Sequence, residues 1–188
     1  MGAVGLSVKD RGAAVATFRA INVTLMEMLA AWVPTTPEME VKLLFGAHIW
    51  DVAQHADMLG KRTFELRLAL QRSMRPSDGY VELLGDVAAI EPTPNRMTAV
   101  YDVMLPAMVR RERAYLERTD KLVDAPTLRI FERHFADVTR MLAAAEELRR
   151  ELPALQLADQ QWIATLQARE ANLELVADSV PEAVAVGA

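Results

Sequence analysis

The chain holds only three histidines, and their spacing from two aspartates is the pattern most able to do chemistry. His48, Asp51 and His55 lie three and four residues apart. On an α-helix, which turns 100° per residue, they share a ~60° sector of one face. His134 and Asp137 repeat the His-x-x-Asp spacing further along the chain. Leu44, Ile49, Val52 and Met58 surround the first group and set it against a core, where polar groups need partners. Three readings follow. The cluster is a polar network that sets helix register without chemistry. Alternatively, His48, Asp51, His134 and Asp137 form a metal site, since two imidazoles and two carboxylates suit zinc, manganese or iron. In the third reading it is a metal-free acid–base or ligand pocket. An aspartate there fixes the tautomer of a neighbouring histidine and raises its pKa, giving a proton shuttle near neutral pH. We take the third as the expectation, with His48, Asp51, His55, His134 and Asp137 as the catalytic set and no cofactor. The metal site stands as the alternative.

Asn22, Asp102, Trp50 and Tyr101 are expected to face a small-molecule ligand. Pro106 lies four residues after Asp102 in a helical pattern. Its ring removes one backbone donor and frees the Asp102 carbonyl inside the helix. Eight methionines, Met26, Met28, Met39, Met58, Met97, Met104, Met108 and Met141, are scattered over four helical segments and suit gap-filling better than copper binding. Trp32, Trp50 and Trp162 read as core or subunit-interface anchors.

Helical periodicity dominates the elements that must position these residues, and the spacing predicts an all-α chain. The first helix is expected over 10–33, opened by a capping box of Ser7 and Asp10 and stopped by Pro34. The second is expected to open at Thr35-Thr36-Pro37 and run unbroken to Met74, a rod of roughly 55–60 Å. Gly79, Gly85 and Pro92 mark a long connection over 75–93 carrying one short helical turn. A third helix, kinked at Pro106, follows to Val123, and a fourth runs from Asp124-Ala125-Pro126 to Leu152. A fifth spans 154–177. Residues 1–177 form one domain, and 178–188 form an extended apolar tail.

Two short helix joints flanking one long connection suit two αα-hairpins linked by a crossover. The hairpins also match each other weakly. The segment from Asn22 to Met28 lies over that from Asp102 to Met108, and His48-x-x-Asp51-Val52 lies over His134-x-x-Asp137-Val138. With the second-helix segment Val52-Ala53-Gln54-His55-Ala56-Asp57 and the fourth-helix segment from Pro126 to Met141, the chain resembles the ferritin-like superfamily over residues 10–150. That resemblance implies a four-helix bundle with one long crossover, here with a C-terminal fifth helix. In di-iron members it also implies a Glu on the first and third helices and Glu-x-x-His on the second and fourth. In this register the six ligand positions hold Asn22, Val52, His55, Asp102, Val138 and Met141. Valine cannot bind a metal and a thioether suits a hard iron site poorly, so a standard di-iron centre is not expected. A metal-dependent oxidoreductase with displaced ligands is the alternative, and a structural or partner-binding bundle the second alternative.

Composition bounds the rest. The chain has 188 residues, 52% of them hydrophobic and 25% charged, which is enough to bury a substantial core. A formal net charge of −5 and a pI near 5.3 argue against a nucleic-acid partner. The run Arg110-Arg111-Glu112-Arg113 is read as a solvated helix face. The absence of cysteine excludes disulfides and thiolate chemistry. No signal peptide or membrane span is expected, so the chain is read as cytoplasmic, and as a homodimer assembled through the long second helix, the fifth helix or the apolar tail.

Overall fold

The computed structural model describes residues 6–156 and 158–175, and every regular element among them is helical. α1 (Val8–Trp32) begins with the expected capping box. Ser7 Oγ accepts the Asp10 N–H at 3.1 Å, and the Ser7 N–H donates to Asp10 Oδ2 at 3.2 Å. A 3₁₀ turn, Val33–Thr35, ends it. Thr36 does not cap the second helix as expected. Its hydroxyl donates back to the Trp32 carbonyl at 2.9 Å and closes α1, and α2 (Met39–Glu65) starts after Glu38 with no side-chain cap.

α2 is also shorter than expected, because residues 66–74 fold back instead of extending it. Arg67 and Gln71 take left-handed backbone angles, φ 65° and 58°. That costs energy, and local bonds offset it. Thr63 Oγ1 donates towards the Gly60 and Ala69 carbonyls, Gln71 bridges Asp57 and Arg19, and the Met74 N–H reaches the Ala16 carbonyl. Leu68 seats over Gly12, where a Cβ would stand 3.2 Å from Leu68 Cδ1. The missing side chain lets this return segment lie on α1.

The long connection carries a full helix, α3 (Asp78–Ala88), rather than a single turn. Next comes one continuous helical rod in three parts: α4 (Thr93–Thr98), a π-helical segment (Ala99–Met104) and α5 (Leu105–Arg118). Pro106 was expected to kink a plain α-helix. Instead the wider π turn absorbs its missing N–H, and Gln167 Nε2 donates to the freed Asp102 carbonyl at 3.2 Å. The rod stops at Arg118, five residues before the expected end. α6 (Ala125–Glu151) follows Asp124. The expected fifth helix divides into a 3₁₀ turn (Pro153–Gln156) and α7 (Gln160–Asn172), opened by Asp159 accepting the Trp162 N–H at 2.9 Å. The apolar tail over 178–188 and the last residues of the expected fifth helix lie outside the described residues.

Contacts at both ends give the helix directions. Trp32 meets Phe45 near the first joint, and Gly12 meets the chain just beyond α2 at the other end, so α1 and α2 are antiparallel. α2 and α6 are antiparallel too, with Asp51 on Arg140 and Arg62 on Asp124. Tyr101 on Phe45 and His48 sets the central rod parallel to α2, while Phe18 on Tyr115 and Phe131 sets α1 antiparallel to the rod and parallel to α6. α1 and α6 thus run one way, and α2 and the rod the other.

The core between them is continuous, with Phe18, Phe45, Tyr101 and Phe131 among its most buried side chains. Charges close its two ends. At one, Arg62 reaches Asp124 at 2.8 Å and Thr127 at 2.8 Å, and Asp124, wholly buried, also accepts from Tyr115 at 2.5 Å and Thr119 at 3.1 Å. At the other, Arg96 stacks over Trp32 and donates to the Ile90 carbonyl. α1 with its 3₁₀ extension is long and apolar enough to cross a membrane, but 56% of its most apolar stretch is buried within this bundle.

Candidate functional site

One polar layer crosses the middle of the core. His55 projects from α2 and His134 from α6, and their ring centroids stand 4.2 Å apart at an interplanar angle of 60°. Both are 1% exposed. Each ring is held by a carboxylate. His55 Nε2 lies 3.0 Å from Asp137 Oδ2, and His134 Nδ1 lies 2.8 and 2.6 Å from the two oxygens of Glu112 on α5. Helical spacing brings Asn22 of α1 level with this layer. It sits one helical turn beyond Phe18, whose ring packs edge-on against Tyr115 and Phe131, and Glu112 and His134 lie one turn from those two residues. Asn22 Nδ2 donates to the Phe18 carbonyl at 2.9 Å.

Three buried atoms of this layer have no hydrogen-bond partner among the described residues: His55 Nδ1, His134 Nε2 and Asn22 Oδ1. Leaving such atoms unpaired costs about 1–3 kcal/mol each, so a water or small polar molecule would gain more here than elsewhere in the core. Asp137 leads outwards. Arg140 Nη2 donates to its Oδ1 at 2.8 Å, and the same guanidinium reaches both oxygens of Asp51, at 3.1 and 3.2 Å. Two histidine–carboxylate pairs therefore stand ring against ring, Glu112–His134 wholly inside the core and His55–Asp137 nearer the surface, where Asp137 is 20% exposed.

The electrostatics follow from burial and neighbours. Burial disfavours the charged imidazole of His55, and the second histidine adds to this, so its pKa falls from 6.5 to about 4 despite the pull of Asp137. Burial raises the Asp137 carboxyl, but hydrogen bonds from His55 and Arg140 outweigh it and hold the group below the usual carboxylate range. His55 at neutral pH is thus a neutral ring donating from Nε2 to an ionised carboxylate, with a bare lone pair on Nδ1. Burial pushes the Glu112 carboxyl above its usual range, opposed by the charge and hydrogen bond of His134.

The expected catalytic set is only partly brought together. His55, His134 and Asp137 meet as expected. His48 lies elsewhere, with Nδ1 2.7 Å from the Tyr101 hydroxyl, and burial lowers its pKa to about 4. Asp51 joins the cluster only through Arg140. The alternative metal set of His48, Asp51, His134 and Asp137 does not converge: His48 is on Tyr101, His134 on Glu112, and Asp51 and Asp137 are both held by Arg140. No group of three or more His, Asp or Glu side chains is placed to hold a metal ion among the described residues. The standard di-iron pattern does not fit either. Val52 and Phe131 stand one turn before His55 and His134, where carboxylates would be needed, and Glu112 directs both oxygens to His134.

Of the expected ligand-facing residues, Asn22 belongs to the layer. Tyr101 is buried against His48. Trp50, at 67% exposure, lies on the surface, away from the layer. Asp102 lies outside the layer, paired with Arg149 at 3.0 and 2.5 Å. The expected repeat is shifted for the same reason. His134 matches His55 rather than His48, and Glu112 takes the place opposite Asn22 that was expected of Asp102. Glu112 was missed because it sits inside a basic run that reads as solvated. The signal for it was the helical spacing Met108, Glu112, Tyr115, which puts the carboxylate on the apolar stripe. In comparisons with known proteins, no family model, curated protein or solved structure matches this chain.

Proposed function

We propose that this protein is a ferritin-like bundle without a standard di-iron centre, whose buried layer is a metal-independent acid–base site for a small polar guest. The paired helix directions, the long crossover over 66–92 and α7 as a fifth helix support the fold reading. The observation that carries the function is the pair of touching imidazoles, His134 held by Glu112 and His55 by Asp137, with one nitrogen of each ring left unpartnered. A guest seated on His55 Nδ1 and Asn22 Oδ1 offers hydrogen-bond donors to both. His134 Nε2 then gives or takes its proton, and Glu112 balances the charge. Asp137 and Arg140 connect the layer to solvent without exposing it.

The test is metal analysis of protein purified without chelator or affinity tag. Substoichiometric transition metal is the expected result. A stoichiometric metal would overturn the metal-independent reading and favour a metal-dependent oxidoreductase. We further propose a homodimer formed through α2, whose outer face carries Met39, Leu43 and Trp50, each at least 60% exposed.

A further inference from the structure

Exposed apolar side chains are not spread evenly over the bundle. Eight large ones are exposed among the described residues. Five of them, Val8, Phe64, Leu70, Leu122 and Val123, gather at the end where α1 and α6 begin and α2 and α5 finish. Three contacts join the segments of that end. The Leu6 N–H donates to the Arg118 carbonyl, Leu68 seats over Gly12, and Arg62 reaches Asp124.

The turn between α5 and α6 is the most apolar point. Leu122 is 87% exposed, the highest of the eight, and Val123 60%. Asp120 Oδ1 accepts both of their N–H groups, at 2.9 and 3.2 Å, and the Asp124 N–H donates to the Asp120 carbonyl at 2.9 Å. Asp124 in turn is wholly buried on Arg62, Tyr115 and Thr119. The turn is thus braced from beneath and presents both aliphatic side chains to solvent in a fixed frame.

Charge is divided along the same axis. Residues 6–12, 57–72 and 116–129 hold nine lysines and arginines against six carboxylates, a net +3 within a chain of net −5. Lys61 pairs with Asp57, and Arg62 with Asp124 and Glu65. Lys9, Arg67, Arg72, Arg118, Lys121 and Arg129 are exposed and make no ion pair among the described residues. The opposite end, built from residues 30–42, 86–96 and 146–151, holds seven carboxylates against four cations. The apolar turn therefore sits at the positive pole of a charge dipole that runs the length of the bundle.

Aliphatic side chains gain by leaving water, and unpaired cations gain at a negative surface. On a bilayer the two act together, where either alone holds a protein weakly. A second copy is a poor occupant, because a twofold contact brings two positive ends together.

We infer that this end docks on the surface of an anionic lipid bilayer. Leu122 and Val123 reach the acyl boundary, and the unpaired lysines and arginines lie among the headgroups. The bundle then stands end-on, which keeps the mid-core His layer clear of the lipid. The inference is independent of the acid–base layer, which shares none of these side chains.

The test is sedimentation of the full-length protein with two kinds of vesicle. One is phosphatidylcholine alone, and the other adds about 30 mol% phosphatidylserine to mimic an anionic leaflet. Binding to the anionic vesicles that weakens as salt is added is the expected result. Leu122→Ser, at a site whose exposure spares the fold, should weaken that binding about tenfold. Lys121→Gln should weaken it about fivefold. Arg150→Gln removes a cation from the opposite end and should leave binding unchanged. No binding to the anionic vesicles would overturn the inference and point to a protein partner for this end. Equal binding to both kinds of vesicle would overturn it too, as would wild-type binding by Leu122→Ser.

Discussion

Acid should unfold this protein in a pH window set by two buried histidines. His48 and His55 are 3% and 1% exposed, and each has its pKa lowered from 6.5 to about 4. Between those values the unfolded chain binds a proton on each ring and the folded chain does not. The stability they contribute is therefore complete above about pH 6.5 and is lost as the pH falls towards 4. Each group adds a slope of about 1.4 kcal/mol per pH unit and a total of roughly 3 kcal/mol across the window. Glu112 acts in the opposite sense, because its raised pKa keeps a proton in the fold that the unfolded chain loses. Asp137 and Asp124, with lowered pKa values, lose their contribution mainly below about pH 4, outside the window. A comparison with variants isolates the histidines. Urea unfolding followed by circular dichroism, from about pH 7.5 to about 4.5, should show stability falling with acid in the wild type. His48→Gln and His55→Gln should each remove about 1.4 kcal/mol per pH unit from that slope. A wild-type stability independent of pH, or variants with an unchanged slope, would refute the reasoning.

Three further outcomes are expected. Asp124→Ala strands the buried Arg62 guanidinium and removes the acceptor for Tyr115, Thr119 and Thr127, so it should cost about 3–5 kcal/mol in urea unfolding. Tyr101→Phe leaves His48 Nδ1 without its partner inside the core and should cost about 1–3 kcal/mol in the same assay. The double change Leu43→Ser, Trp50→Ser should convert a dimer to a monomer in sedimentation equilibrium. It should alter the stability of the isolated fold by no more than about 0.5 kcal/mol per site, because both side chains are exposed.

The helical class, the main breaks and the capping box at Ser7 were legible because each rests on local chemistry: period 3.6, proline and a paired Ser and Asp. The end of α2 was not. No glycine or proline interrupts 66–74, and the turn there is held by bonds from Gln71 and Met74 to distant residues of α1 and α2. The site divided on the same line. His55, His134 and Asp137 were found because helical spacing put them on apolar faces. Their register was not found, because matching His-x-x-Asp motifs favoured His48 over His55, and only packing distinguishes the two. Glu112 was hidden by the arginines on either side, of which Arg111 is itself largely buried on Glu170 and Arg113 lies over Phe135. Pro106 was read as a kink that leaves the Asp102 carbonyl free inside the bundle, whereas a π turn accommodates the proline and the Gln167 amide takes up that carbonyl at the surface, both of which depend on tertiary contacts.

In the proposed acid–base layer, Glu112 and Asp137 hold two touching imidazoles, His134 and His55, as one coupled group. Nitrogen NMR of the ¹⁵N-labelled imidazoles, recorded against pH in the wild type and in Glu112→Gln, reads that coupling. His55 should remain neutral, protonated on Nε2 and bare on Nδ1, down to about pH 5, and the Glu112 substitution should move the resonances of both histidines. Two imidazoles that titrate independently near pH 6.5, with His55 unaffected by Glu112→Gln, would contradict it.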